Sequence, residues 1–277
     1  MRSSAPHSGR RQGLPFFLFL AGVLAFLLGT RFPAQTVSLC AGSDLTAVPD
    51  TAPFSSAPVF ASGAGEDAGD KWVCLTFDDG PSKTTPAVLE ALDAAGVHGT
   101  FFVVATGHNQ KYLPLLTQAA AAGHQIALHS ASHEYSDIYR SADAYWQDIA
   151  LLKERIAPYV DPEGIRYLRF PGGSTNTVSR RYGGKGLMQQ LKSEVEQKGW
   201  QWVDWNVCAE DAVGGHPDAD TIYRNVVRET GEQTRCVVLM HDSATTGTTA
   251  QALPEIIRWY ADRDYRFLTV EQALPLG

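Results

Sequence analysis

Trp72-Val73-Cys74-Leu75-Thr76-Phe77-Asp78-Asp79-Gly80-Pro81-Ser82 is the stretch whose reading decides the fold. Its first six residues have the strand-forming, apolar texture of a buried β-strand. Two adjacent carboxylates follow, and Gly80-Pro81 then turns the chain. Along a strand, neighbouring side chains face opposite ways. Just past the strand end that restraint lapses, so Asp78 and Asp79 can reach one site with different tasks. One can bind a metal while the other stays free as a base. Asp, Gly, Pro and Ser are also ordinary turn residues, and a surface Asx turn is the plain alternative. What lies downstream favours the chemical reading.

From Lys71 onward strand-like and helix-like segments alternate. Strands are expected at 72–77, 100–104, 125–129, 166–170, 201–207, 236–240 and 265–268. Helices are expected at 86–95, 111–122, 142–157, 187–198, 218–230 and 252–263, with a Gly-rich loop at 171–186. Thr85 suits the N-cap of the first helix, and Pro86 its first turn. Seven βα-like repeats imply a parallel sheet, either doubly wound or closed as a barrel. A closed or nearly closed barrel carries its functional residues at the C-terminal ends of its strands.

The chemistry-bearing residues fall at those ends. Asp78-Asp79 close the first strand, His129-Ser130-Ala131-Ser132-His133 the third, and Arg169-Phe170-Pro171-Gly172-Gly173 the fourth. Asp204-Trp205-Asn206 leads to Asp211 after the fifth, and His241-Asp242 end the seventh. The i, i+4 spacing of His129 and His133 would put both imidazoles on one side of a helical turn. With one carboxylate they make two His and one Asp, a usual set for catalytic zinc. His98, His124 and His216 lack carboxylate company and read as structural or loop residues.

The chain has 277 residues, enough for one large domain or two small ones, and a net charge of −7 that argues against a general nucleic-acid binder. Residues 1–30 read as a targeting segment. Arg2, Arg10 and Arg11 precede an apolar run from Leu14 to Gly29, which is expected to hold the N-terminus in the cytoplasm and send the rest outward. An uncleaved anchor and a cleaved signal peptide both fit. Residues 31–69 read as a flexible linker, since Ala, Ser, Pro and Gly supply 21 of its positions and leave too little apolar surface for a core. An extracytoplasmic domain permits disulfides among Cys40, Cys74, Cys208 and Cys236, but sequence does not pair them.

Thr76-Phe77-Asp78-Asp79-Gly80-Pro81, His129-Ser130-x-x-His133, Arg169-x-Pro171-Gly172 and Leu239-Met240-His241-Asp242, in this order, resemble the motifs of the polysaccharide deacetylases of the NodB-homology type (carbohydrate esterase family 4). The resemblance covers residues from about 70 to 270, makes 70–277 the catalytic domain, and implies a distorted, incomplete (β/α)7 barrel. It implies a divalent metal, most simply Zn²⁺, held by Asp79, His129 and His133. Asp78 would be the base, Arg169 the group that holds it ionised, and His241 the acid. Asp211 would orient His241, with Asp204 as the rival partner. Pro171, Gly172, Gly173 and Leu239 would face the substrate. Leu239 is either the floor of an acetyl pocket or a core leucine. The implied substrate is an N-acetylated envelope polymer, peptidoglycan before chitin or xylan, and the catalytic domain is expected to be monomeric.

Two departures bear on the groove. The family commonly carries a Tyr in the loop after the Arg and Pro, where this chain has Gly173. Its fourth motif usually reads Asp-x-x-Asp-Trp, where this chain puts Cys208, Asp211 and Ala212. A wider groove is the simple expectation, with Trp205 or Tyr182 as the aromatic that compensates.

Overall fold

The computed structural model describes residues 71–214 and 216–276. The expected apolar span and the linker lie outside the described residues, as does Cys40. Among the described residues, no helix is long and apolar enough to cross a membrane.

Among the described residues eight strands form one sheet: β1 (Trp72–Asp78), β2 (Thr100–Val104), β3 (Gln125–Ser130), β4 (Tyr167–Leu168), β5 (Gln201–Trp202), β6 (Val207–Cys208), β7 (Arg235–His241) and β8 (Arg266–Phe267). All the pairings are parallel, in the order β5-β4-β3-β2-β1-β7-β6, with β8 also on β1. The helices are α1 (Thr85–Ala95), α2 (Leu115–Ala121), α3 (Tyr135–Ile138), α4 (Ala142–Ile156), α5 (Val178–Gly183), α6 (Leu187–Gln197), α7 (Ala219–Thr230), α8 (Gly247–Ala261) and α9 (Val270–Ala273).

The strand expected over 201–207 is two strands at opposite edges of the sheet. Six strand spacings would set the edges of a flat sheet about 29 Å apart. The link 203–206 reaches at most about 18 Å. The sheet must therefore curl until its edges approach, which makes a distorted, incomplete barrel. Arg169 reinforces the closure from within, because its Nε donates to the Val203 carbonyl and its Nη2 to that of Asp204.

Strand alternation sorts the apolar residues into two layers. Val73, Leu75, Phe77, Phe101, Val103, Leu128, Val238 and Met240 pack on the helix side. Trp72, Cys74, Phe102, Ala127, Tyr167 and Val237 form a second cluster on the other face, inside the curl. Burying each such aliphatic side chain contributes about 1.5–3 kcal/mol. Continuing the period of two upward from the inner layer reaches Thr76 and Asp78 on β1, His129 on β3, Arg169 just past β4, and Leu239 and His241 on β7. The packing that closes the barrel thus aims the chemistry into its mouth.

Smaller elements differ from expectation where local chemistry overrides periodicity. The helix expected at 111–122 is a 3₁₀ turn at Gln110–Tyr112 followed by α2, with Pro114 between them at the N-cap of α2. The Gly-rich loop 171–186 contains α5. The last long helix starts at Gly247 rather than 252 and accommodates Pro254 inside it. Thr84, not Thr85, holds the N-cap position of α1, without a side-chain cap bond. The Thr85 hydroxyl instead donates to Asp242 Oδ2 at 2.5 Å. Cys74 and Cys236 are buried free thiols.

Candidate active site

Asp78 is the last residue of β1, paired in register with His241 of β7. Asp79 follows with φ +69°, a left-handed turn that swings its carboxylate to the same mouth. Asp tolerates that conformation better than most residues, at a cost on the order of 1–2 kcal/mol. Two adjacent carboxylates thereby serve one cavity.

His129 and His133 do not share a helical turn as the spacing suggested. His129 lies within β3, at an irregularity where Val103 pairs with Leu128 and Val104 with Ser130, so His129 is the extra residue of a bulge. Bulges of this kind re-aim a side chain. His133 sits in the turn beyond β3 with φ +57°. Asp148 of α4 builds that turn, accepting from Ser130 Oγ at 2.6 Å, Ala131 N at 2.8 Å and Ser132 N at 2.9 Å. Ser130 Oγ in turn accepts from His133 N. Sequence reading passed over Asp148, because a carboxylate 15 residues past a motif on an amphipathic helix carries no local signal.

The result is a donor set. His133 Nε2 stands 3.2 Å and His129 Nε2 3.6 Å from Asp79 Oδ1, and one ligand atom from each residue lies within 4.8 Å of the others. His129 donates from Nδ1 to the Arg169 carbonyl at 2.7 Å, which turns the Nε2 lone pair toward Asp79. Burial first, helped by the neighbouring His133 and Arg169 charges, drives the His129 pKa down to about 3 against the pull of Asp79, so the imidazole is neutral. Asp79 Oδ1 is buried without a hydrogen-bond partner. An orphaned carboxylate oxygen facing two imidazole nitrogens fits a divalent cation.

Asp78 accepts at Oδ1 from Arg169 Nη1 across 2.7 Å. Arg169 is fully buried, also bonds Thr76 Oγ1, and has its guanidinium carbon 4.1 Å from the Phe102 ring centroid. Burial raises the Asp78 pKa and prevails over the opposing charges of Arg169 and His241. Arg169 acts in the expected direction, since its charge and its hydrogen bond both lower what burial raises. A raised base still fits, since proton transfer is best served by a pKa near the working pH.

His241 resolves its two rival partners. Its Nδ1 lies 2.8 Å from Asp211 Oδ1, and its backbone N donates to Asp211 Oδ2. Thr249 Oγ1 gives Asp211 a further bond at 2.7 Å. Burial pulls the His241 pKa down, but the Asp211 charge and hydrogen bond, with Asp79 and Asp78 behind them, carry it up to about 9. Asp204 instead accepts from the Ser174 amide and hydroxyl and pins the loop after β4.

The groove side holds Leu239, which is buried but belongs to neither apolar cluster and is paired with Thr76 one step below His241. Gly172 and Gly173 both have left-handed φ, at +77° and +82°. The Gly173 amide is taken by the Phe170 carbonyl at 2.7 Å, while among the described residues the Gly172 amide has no acceptor. Trp205 stands against this loop, since a Cβ on Gly173 would come 3.0 Å from Trp205 Cη2. Aromatic surface is therefore present beside Gly173, although Ala212 supplies none. Tyr182 is an exposed residue of α5.

Asp242 closes the last sequence motif, but sequence alone gives it no role. It is fully buried, its pKa is pushed up to about 7 by burial and by the Asp79 and Asp78 charges against Thr85, and its carboxylate presses on Gly80.

Comparison with known proteins agrees with this geometry. The family model described as polysaccharide deacetylase matches residues 65–190. The catalytic domain of a peptidoglycan N-acetylglucosamine deacetylase from Eubacterium rectale superposes with a TM-score of 0.70 at 35% identity, covering 78% of this chain and 96% of that one. The chain belongs to the polysaccharide deacetylase family. A peptidoglycan-N-acetylglucosamine deacetylase of Bacillus cereus is 28% identical over 199 residues, 70% of this chain and 67% of the relative. A chitooligosaccharide deacetylase of Bradyrhizobium is 29% identical over 194 residues, 69% of this chain and 80% of the relative. As a polysaccharide deacetylase the protein is a metal-dependent hydrolase, and its Asp79, His129 and His133 form the candidate metal site.

Proposed function

We propose that the protein removes N-acetyl groups from amino sugars of a cell-envelope polysaccharide, with peptidoglycan as the first candidate. The observation that carries this is the pairing of Asp78 with His241 on adjacent strands, beside a separate donor set of Asp79, His129 and His133. Amide hydrolysis needs a base for water and an acid for a poor leaving group, and this mouth holds one of each.

Zn²⁺ is the proposed ion, from the His₂Asp donor set. Asp79, His129 and His133 would hold it, and it would supply Lewis-acid polarisation of the acetyl carbonyl and a more acidic water. Asp78 takes the proton of the attacking water, and Arg169 fixes the carboxylate oxygen that does not receive it. The Gly172 amide faces the oxygen that gains negative charge. His241, charged through Asp211, gives its proton to the departing sugar nitrogen, so the amine leaves neutral. Leu239 lines the space for the acetyl methyl.

The proposal extends to location. Arg2, Arg10 and Arg11 before the apolar run, followed by the linker, support a catalytic domain tethered to or released from the outer side of the membrane. The test is acetate release from peptidoglycan, chitin oligomers and acetylxylan in parallel. Release from peptidoglycan above the other two supports the reading. A tenfold preference for chitin oligomers moves the substrate to the chitooligosaccharide class, and activity on acetylxylan alone replaces amide by ester hydrolysis.

A further inference from the structure

Tyr135 opens α3 immediately beyond the His133 turn. Its ring meets the His133 imidazole edge-on, with centroids 5.5 Å apart at 79°. Its hydroxyl lies over the loop after β4, because a Cβ on Gly172 would stand 3.1 Å from Tyr135 Oη. Tyr139, one turn later on the same side, donates its hydroxyl to the Pro171 carbonyl at 2.7 Å. Two tyrosines, the first residue of α3 and its C-cap, therefore meet one loop. Tyr139 is committed to anchoring it, whereas among the described residues Tyr135 Oη has no hydrogen-bond partner.

The absence of a side chain at Gly172 is what admits this phenol. Any Cβ there would crowd both Oη and Cε1 of Tyr135. The loop after β4 thus receives a tyrosine from α3 where Gly172 carries no side chain. We propose that the Tyr135 hydroxyl donates a hydrogen bond to the acetyl oxygen of the substrate as that oxygen becomes negative, acting beside the Gly172 amide. Among the described residues both donors lack a protein acceptor, and the Tyr135 ring lies against that of His133; paired unsatisfied donors are what stabilises an oxyanion. The inference rests on the deacetylation reading above.

Tyr135→Phe in the full, metal-loaded chain removes only the donor. The expected result is a fall in kcat of roughly 10²-fold, as for loss of one oxyanion donor. KM should stay within twofold and metal content unchanged, because the bond strengthens only in the transition state. In an Asp78→Asn background, Tyr135→Phe should leave the dissociation constant of a bound N-acetylated oligosaccharide within twofold. A kcat within twofold of wild type overturns the proposal, as does a rise in KM with kcat intact or a loss of metal. Wild type that releases no acetate from any of the three polymers overturns the deacetylation reading and this inference with it. Active wild type with an unaffected Tyr135→Phe variant overturns the tyrosine alone.

Discussion

Arg169 Nη1 reaches Asp78 Oδ1 across 2.7 Å, and neither side chain is open to solvent. The guanidinium is also bonded to Thr76 Oγ1 and to the carbonyls of Val203 and Asp204, so one residue ties the base to the segment that closes the sheet. Catalysis and fold share this group.

Arg169→Met should therefore cost stability as well as activity. Breaking a buried pair from one side leaves an uncompensated charge and typically costs about 3–5 kcal/mol. Denaturant unfolding of the metal-free domain measures it. Adding Asp78→Asn to Arg169→Met should recover part of the loss, because the stranded carboxylate is then gone. A single-variant cost below about 1 kcal/mol would remove Arg169 from this structural role.

The His241 pKa of about 9 sets the alkaline side of the rate profile. Activity needs the protonated imidazole, so kcat should fall as pH rises through about 9. Asp211→Asn leaves burial unopposed by that partner, and the limb should move down toward or below the ordinary 6.5. Linkage runs the same way. The folded pKa exceeds the unfolded one, so this pair's stabilisation is complete below about 6.5 and is lost as pH rises through about 9. An unmoved alkaline limb in Asp211→Asn would assign it to another group.

Asp148 holds three donors of the turn that carries His133. Asp148→Ala should weaken metal affinity roughly 10- to 100-fold, the usual effect of losing an outer-shell partner. Competition with a chelator reads this directly. Asp148→Asn keeps acceptor and shape for part of the turn and should fall between the two.

Gly80 leaves no room for a side chain. A Cβ there would stand 2.1 Å from both carboxylate oxygens of Asp242, which is itself held by Thr85. Gly80→Ala must displace either Asp242 or the Asp79 turn, so metal binding and rate should both fall while the sheet below stays folded by circular dichroism. Normal metal affinity in Gly80→Ala would show that the turn tolerates the shift.

Much of this was legible because strand ends are local and chemistry-bearing residues are few. The alternation of Trp72-Val73-Cys74-Leu75-Thr76-Phe77 and the carboxylates after it point to both the sheet and the site. Residues 201–207 read as one strand because Trp202, Val203 and Val207 are all strand formers. What splits them is sheet closure, a long-range demand invisible to a local window. The i, i+4 spacing of His129 and His133 suggested a helix, whereas a bulge and a left-handed turn produce the same convergence. Asp148 and Thr249 escaped notice, and Asp242 stood in a motif without a role, because they act through contacts that only tertiary folding creates.

The central claim is that adjacent carboxylates at the end of β1 do different jobs, and paired measurement of metal content and acetate release in Asp78→Asn and Asp79→Asn tests it most directly. Asp78→Asn should keep its metal and lose roughly 10²- to 10⁴-fold in rate, the usual worth of one acid–base group. Asp79→Asn should lose the metal itself. Equal metal loss in both variants, or an Asp78→Asn variant that releases acetate at the wild-type rate, would contradict the account.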